Sequence, residues 1–146
     1  MRAAVDLGDA RRRSWGGFSN LWGLVQAGYS AGPGSTTGII STVAQLAGDG
    51  TTILAMFDAG LAGVSQWHGA TVSSTTIIGK YTYFGDATLD GQVTSDDYLV
   101  LDQNRNTSPA TGLGWIEGDA TSDGSVTPDD YLVLDTNRGL GVGDPL

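Results

Sequence analysis

Two short stretches of this chain carry oxygen-bearing side chains at the same spacing. The first holds Asp86, Thr88, Asp90, Gly91, Gln92, Thr94 and Asp97; the second holds Asp119, Thr121, Asp123, Gly124, Ser125, Thr127 and Asp130. These are positions 1, 3, 5, 6, 7, 9 and 12 of a twelve-residue loop. Such a pattern suits a hard divalent cation. Calcium takes about six to eight oxygens at roughly 2.3–2.6 Å around one point. Side chains at positions 1, 3 and 5 of a tight loop turn inward, and glycine at position 6 permits the reversal. Position 7 offers its backbone carbonyl, and position 12 returns a carboxylate from the following helix. The expected ligands are Asp86, Thr88, Asp90, Gln92 and Asp97 for one ion and Asp119, Thr121, Asp123, Ser125 and Asp130 for a second, giving two Ca2+ per chain. Other metal chemistry is poorly served: there is no cysteine, and His68 is the only histidine, which argues against zinc.

The two loops belong to a larger internal repeat. GDATLDGQVTSDDYLVLDQNRN from Gly85 aligns with GDATSDGSVTPDDYLVLDTNRG from Gly118, identical at 17 of 22 positions with an offset of 33 residues. Two copies are too few for a solenoid and suit a pseudo-twofold pair. Each copy reads as a loop followed by a helix. Ser95 is expected as one N-cap, Pro128 in the first turn of the other helix, and Gly139 at its C-terminal end. Tyr98, Val100 and Leu101, with Tyr131, Val133 and Leu134, give each helix an apolar side. Val93 and Val126, at position 8, are expected to pair the two loops. About ten residues make a marginal isolated helix, so packing or a bound ion must hold each one.

Charge separates the chain into halves. Residues 1–79 hold four arginines and four aspartates, while residues 80–146 hold three basic and twelve acidic residues, so the whole net charge of −9 falls on the second half. Phosphate binding wants the opposite sign, and nucleic acid is excluded as a partner for that half. Fifteen of the sixteen acids are aspartate. Turns and oxygen-ligand loops favour Asp, whereas solvated helix faces favour Glu. No apolar run reaches about 18 residues, so no transmembrane segment is expected. A secretory h-region of about 7–15 residues is likewise missing after Met1-Arg2. Arg11-Arg12-Arg13 reads as a mobile tail.

The first half holds fourteen of the 23 glycines and many Ser and Thr. Short helices are expected at Leu21–Ala27 and Ser41–Leu46, and strands at Thr51–Phe57 and Thr75–Phe84. In the second strand, Ile78, Lys80, Thr82 and Phe84 alternate with Ile77, Gly79, Tyr81 and Tyr83, the pattern of a half-buried sheet. That strand runs directly into Gly85. The fold class expected is mixed α+β: a Gly/Ser/Thr-rich β-containing domain over 1–84, packed on a helical repeat pair over 85–146 with loops 86–97 and 119–130.

The pair resembles type I dockerin modules, which carry two EF-hand-like calcium loops, each closed by Asp at position 12 and followed by a helix. The resemblance covers Gly85 to about Asp144. It implies ligation by Asp86, Asp90 and Asp97 and by Asp119, Asp123 and Asp130, with carbonyls from Gln92 and Ser125. Thr88 and Thr121 stand where the family usually has Asn or Asp, which implies weaker ligation at position 3. Dockerins dock on cohesin domains through positions 10 and 11, commonly a Ser/Thr pair; here these are Ser95-Asp96 and Pro128-Asp129. More weakly, VSSTTIIGKYTYFGDATLDGQV with LVQAGYS and TTGIIST upstream looks like the C-terminal region of very large bacterial surface and autotransporter-like proteins. This implies an extracellular or cell-surface location, with the signal outside this chain.

Other candidates are read structurally. Trp15, Trp22, Trp67 and Trp115, with Tyr29, Tyr81 and Tyr83, are expected to pack a core rather than to form a sugar platform. His68 reads as a surface-loop residue. Asn106-Thr107-Ser108 is a glycosylation triplet. Paired carboxylates also serve glycoside hydrolysis, but the calcium pattern uses these acids, so no enzyme is expected. The function expected is a non-catalytic, extracellular calcium-binding structural protein for assembly or attachment at the cell surface. Two alternatives stand beside it. One is a self-assembling fibre subunit that offers an exposed strand such as Thr75–Phe84 to a neighbour. The other is a cohesin- or carbohydrate-docking module of a polysaccharide-degrading system. A protein partner or self-association is expected, with a cohesin-like domain and a glycan open as partners.

Overall fold

The order of elements along the chain is strand, helix, four more strands' worth of hairpin and sheet, and then the loop–helix repeats. The structure, a computed structural model, describes residues 2–6 as backbone and residues 17–30, 38–39 and 50–146 in full. Among these, β1 is Arg2–Asp6, α1 Phe18–Ser30, β2 Thr52–Asp58, β3 Gln66–Trp67, β4 Ala70–Thr71, β5 Thr76–Tyr83, α2 Ser95–Asn104, α3 Gly114–Glu117 and α4 Pro128–Asn137. The architecture is mixed α and β, with four helices and two small antiparallel sheets among the described residues. The helix expected at Ser41–Leu46, Trp15 and Arg11-Arg12-Arg13 lie outside the described residues.

The larger sheet has the order β1-β5-β2. β5 is its central strand, antiparallel to both neighbours, with Arg2 opposite Lys80 on one side and Phe57 opposite Ile78 on the other. β5 is thus paired on both edges over Ile77–Lys80, and this part of Thr75–Phe84 is not the exposed strand expected. The half-buried reading of this strand is corrected as well: Thr76 to Thr82 are buried without interruption. The alternation in its sequence is real, but its more polar face lies under the first repeat loop instead of in water. Lys80 Nζ donates to the Leu89 carbonyl oxygen at 2.8 Å, and the Thr82 hydroxyl donates to Asp86.

Two apolar clusters hold the chain together. One gathers Val25 of α1, Ile53, Met56 and Phe57 of β2, Ile77 and Ile78 of β5, Leu89 of the first repeat and Trp115 of α3. The other lies between the repeats and consists of Ala87, Val93, Leu101, Ala120, Val126 and Leu134. Burial of such side chains contributes about 1.5–3 kcal/mol each. Trp22 and Trp115 meet edge to face at 6.0 Å, and Phe57 and Trp67 at 5.4 Å, so these tryptophans pack a core as expected. His68 sits exposed in the turn between β3 and β4 at φ +48°.

The repeats are related by a pseudo-twofold. Gly85 and Gly118, at φ +93° and +99°, each lie against the leucine of the opposite helix. A Cβ at Gly85 would come 3.1 Å from Leu134 Cδ1, and one at Gly118 2.7 Å from Leu101 Cδ1. The loops are stitched crosswise. Val93 exchanges backbone hydrogen bonds with Gly139 (2.9 Å) and Leu140 (3.0 Å), and Val126 with Asn106 (2.8 Å) and Thr107 (2.9 Å). The position-8 valines thus share the core but bond the segment beyond the opposite helix, not one another.

Candidate functional site

Each loop is built by its own carboxylates. Asp86 accepts the N–H groups of Asp90 at 3.1 Å and Gly91 at 2.9 Å. Asp119 accepts those of Asp123 and Gly124 at the same two distances. A carboxylate at position 1 therefore pulls the chain round on itself, and residues 4 and 6 take the left-handed conformation this needs. Leu89 and Ser122 have φ +60° and +61°, and Gly91 and Gly124 +91° and +93°. The non-glycine residues carry some strain there.

The position-12 carboxylates close the loops from the helices. Asp97 accepts the Thr88 N–H at 3.0 Å, the Thr88 hydroxyl at 3.1 Å and the Thr94 N–H at 2.8 Å. Asp130 accepts the Thr121 N–H at 2.9 Å, the Thr121 hydroxyl at 3.1 Å and the Thr127 N–H at 2.8 Å. The bonds to Thr94 and Thr127 form one arm of a capping box that starts α2 and α4. The N-cap of α2 is accordingly Thr94, with Ser95 as the first helical residue. Pro128 opens α4 as expected, and Gly139 follows it at φ +86°.

Within each loop the carboxylates of positions 1 and 12 are brought together. The Thr88 hydroxyl lies 3.3 Å from Asp86 Oδ1 and 3.1 Å from Asp97 Oδ1. The Thr121 hydroxyl bridges Asp119 and Asp130 at 3.5 and 3.1 Å. At position 5, Asp90 accepts the Gln92 N–H and Asp123 the Ser125 N–H, both at 2.9 Å. Among the described residues no three carboxylate or imidazole side chains converge as a ready metal cage. Gln92 and Ser125 are tied to position 5 through their N–H groups, beside the carbonyls expected as ligands.

Asp86, Asp97 and Asp130 are 0% exposed and Asp119 5%. Burial is the main cause that raises the Asp86 and Asp119 carboxyls above the usual carboxylate range, although the loop N–H groups oppose it. Burial also pushes Asp97 up to about 6, and the facing Asp86 charge adds to it. These are hard oxygen donors, desolvated and set against one another. A divalent cation would relieve both the burial and the repulsion, because a carboxylate oxygen bonded to an N–H keeps a second lone pair. The donor chemistry fits calcium at positions 1, 3 and 12.

Three contributors escape motif reasoning. Lys80 and Thr82 reach the first loop from β5, and Trp115 Nε1 donates to the Asp86 carbonyl oxygen at 2.7 Å. Only the polar alternation of β5 hinted at the first two, and nothing local marked Trp115. Comparison with known proteins found no matching family model, no matching curated protein and no matching solved structure.

Proposed function

We propose that this chain is a non-catalytic, extracellular calcium-binding structural or assembly module. Two Ca2+ ions order a dockerin-like pair of loop–helix repeats that mediates attachment or assembly at the cell surface. The observation that carries this reading is the burial of two facing carboxylates in each of two near-identical loops, Asp86 with Asp97 and Asp119 with Asp130. Buried like charges repel each other unless a cation or a proton joins them. Asp86, Thr88 and Asp97 would hold one ion and Asp119, Thr121 and Asp130 the other. Asp90 and Asp123, with the carbonyls of Gln92 and Ser125, would complete the shells. The ions would supply charge neutralisation, and folding would be coupled to binding.

A protein partner is favoured by the outward faces of α2 and α4. Leu99 and Leu132 stand at matching positions and are 55% and 65% exposed. Asp96 and Asp102 flank the first, and Asp129 and Asp135 the second, all of them exposed. Such a face suits an apolar patch framed by basic side chains, and a cohesin-like domain is one candidate for that role.

Calorimetric titration of chelator-treated protein with calcium, followed in parallel by circular dichroism, tests the reading. Two ions per chain with a gain of helix are expected. No binding at millimolar calcium would overturn it.

A further inference from the structure

The pseudo-twofold equates the two loops in sequence and backbone, yet their surroundings differ at matching positions. Resting on the calcium reading above, we propose that the first loop is a latched, slowly exchanging site and the second an open, responsive one, with the segment Gly139–Leu146 as the latch.

On the first loop, position 6 is closed over. Gly91 is buried, its carbonyl accepts the Leu146 N–H at 3.2 Å, and a Cβ there would collide with the Leu146 backbone. A Cβ at Gly141 would in turn collide with the Gly91 carbonyl and lie 3.1 Å from Gln92 Cα. The same segment already holds Val93 through Gly139 and Leu140. The opposite side of this loop is pinned to the sheet. Leu89 at position 4 is inserted in the sheet cluster and its carbonyl accepts Lys80, while Asp86 is tied to Thr82 and Trp115.

On the second loop the matching residues face space. Gly124 is exposed, with nothing within 4 Å of a Cβ placed on it. Ser122 takes the place of Leu89. Asp119, Ser122 and Gly124 border a cavity of about 200 Å3 that Phe18, Trp22 and Pro109 also line. Release of an ion from a buried loop requires the loop to open, and each bond that must break lowers the open population. Both loops must release their crosswise valine bonds, Val93 with Gly139 and Leu140 and Val126 with Asn106 and Thr107; the first must in addition shed the Gly91–Leu146 contact and its bonds to Lys80, Thr82 and Trp115.

The test is rapid mixing of the calcium-loaded chain with a fluorescent chelator. Two release phases are expected, the slow one at least about tenfold slower. Asp86→Asn should remove the slow phase and Asp119→Asn the fast one. Ending the chain after Gly143 removes the Leu146 contact. It should accelerate the slow phase by about fivefold, the equivalent of one hydrogen bond, and leave the fast phase unchanged. Gly141→Val displaces the latch independently and should do the same. A single phase carrying two ions would overturn the latch, as would a slow phase assigned to the second loop. A slow phase indifferent to both latch variants would overturn it too. Absence of any bound calcium would overturn the calcium reading along with it.

Discussion

The Tyr98 hydroxyl donates to Asp135 Oδ1 at 2.6 Å, and its twin Tyr131 donates to Asp102 Oδ1 at 2.7 Å. Each bond joins the start of one repeat helix to the later part of the other, so α2 and α4 are clasped reciprocally. The two rings lie 6.5 Å apart at the centre of the pair. These phenols cross-link helices whose own hydrogen bonding is too short to sustain them.

Tyr98→Phe should therefore destabilise the chain, by about 0.5–1.5 kcal/mol at neutral pH and toward the lower end because the bond is exposed. Burial, and then the bond to Asp135, pushes the Tyr98 phenol up to about 12. A phenol raised above its unfolded value of about 10 contributes stability in full below that pH. The contribution is lost as pH rises from about 10 through 12. Urea unfolding of wild type and variant between neutral pH and pH 12 should show the gap closing over that interval.

Calcium should invert the response of stability to pH. Asp97 is raised by burial to about 6 against an ordinary 3.8. Without metal the folded state binds more protons than the unfolded state in this window, so stability falls as pH rises through it. With saturating calcium only the ionised carboxylate ligates, and stability should fall as pH drops instead. Melting temperatures at pH 5 and pH 7, with chelator and with calcium, read both slopes. Parallel slopes would contradict the assignment of Asp97 as a ligand. Asp97→Asn should abolish much of the gain from calcium.

The glycines ahead of the loops should be intolerant of a side chain. At φ +99°, Gly118→Ala places a Cβ 2.7 Å from Leu101 Cδ1, whereas Gly85→Ala, at φ +93°, meets Leu134 Cδ1 at 3.1 Å. Strain and overpacking together should cost about 1–3 kcal/mol in each, with Gly118→Ala the worse. Leu101→Ala and Leu134→Ala, which empty fully buried positions, should cost about 2–5 kcal/mol. Denaturant midpoints rank the four variants.

Leu99→Asp and Leu132→Asp should leave stability within about 0.5 kcal/mol, because both side chains are largely in water. If these faces dock a partner, the same changes should weaken capture of cohesin-like domains or of self-associated chain, measured by surface binding in calcium. Retained binding by the double variant would move the partner to another face.

The sequence by itself determined what twelve consecutive residues can settle. Asp at position 1 and Gly at position 6 draw the chain into the same turn twice. The matching φ of Leu89 with Ser122, and of Gly91 with Gly124, follows from contacts spanning no more than five residues. Thr94 with Asp97, and Thr127 with Asp130, likewise start both helices locally. β2 and β5 were legible within one residue, since Thr, Ile and aromatic runs declare themselves, whereas β1, β3 and β4 were not expected.

Only the tertiary structure decided what lies around the loops. Lys80 is paired with Arg2 on one side and Ala55 on the other, and Trp115 reaches Asp86 across 29 residues. No local pattern encodes such pairings, because their free energy comes from removing surfaces from water that are distant in the chain. The central place of β5, the polar face it turns to the first loop, and the crosswise bonds of Val93 and Val126 all arise this way. So does the difference between two loops of nearly identical sequence. Identical residues fold alike under local forces, but a loop pressed against a sheet and a loop beside a cavity meet different amounts of water, and that sets their burial, their charge balance and their freedom to open.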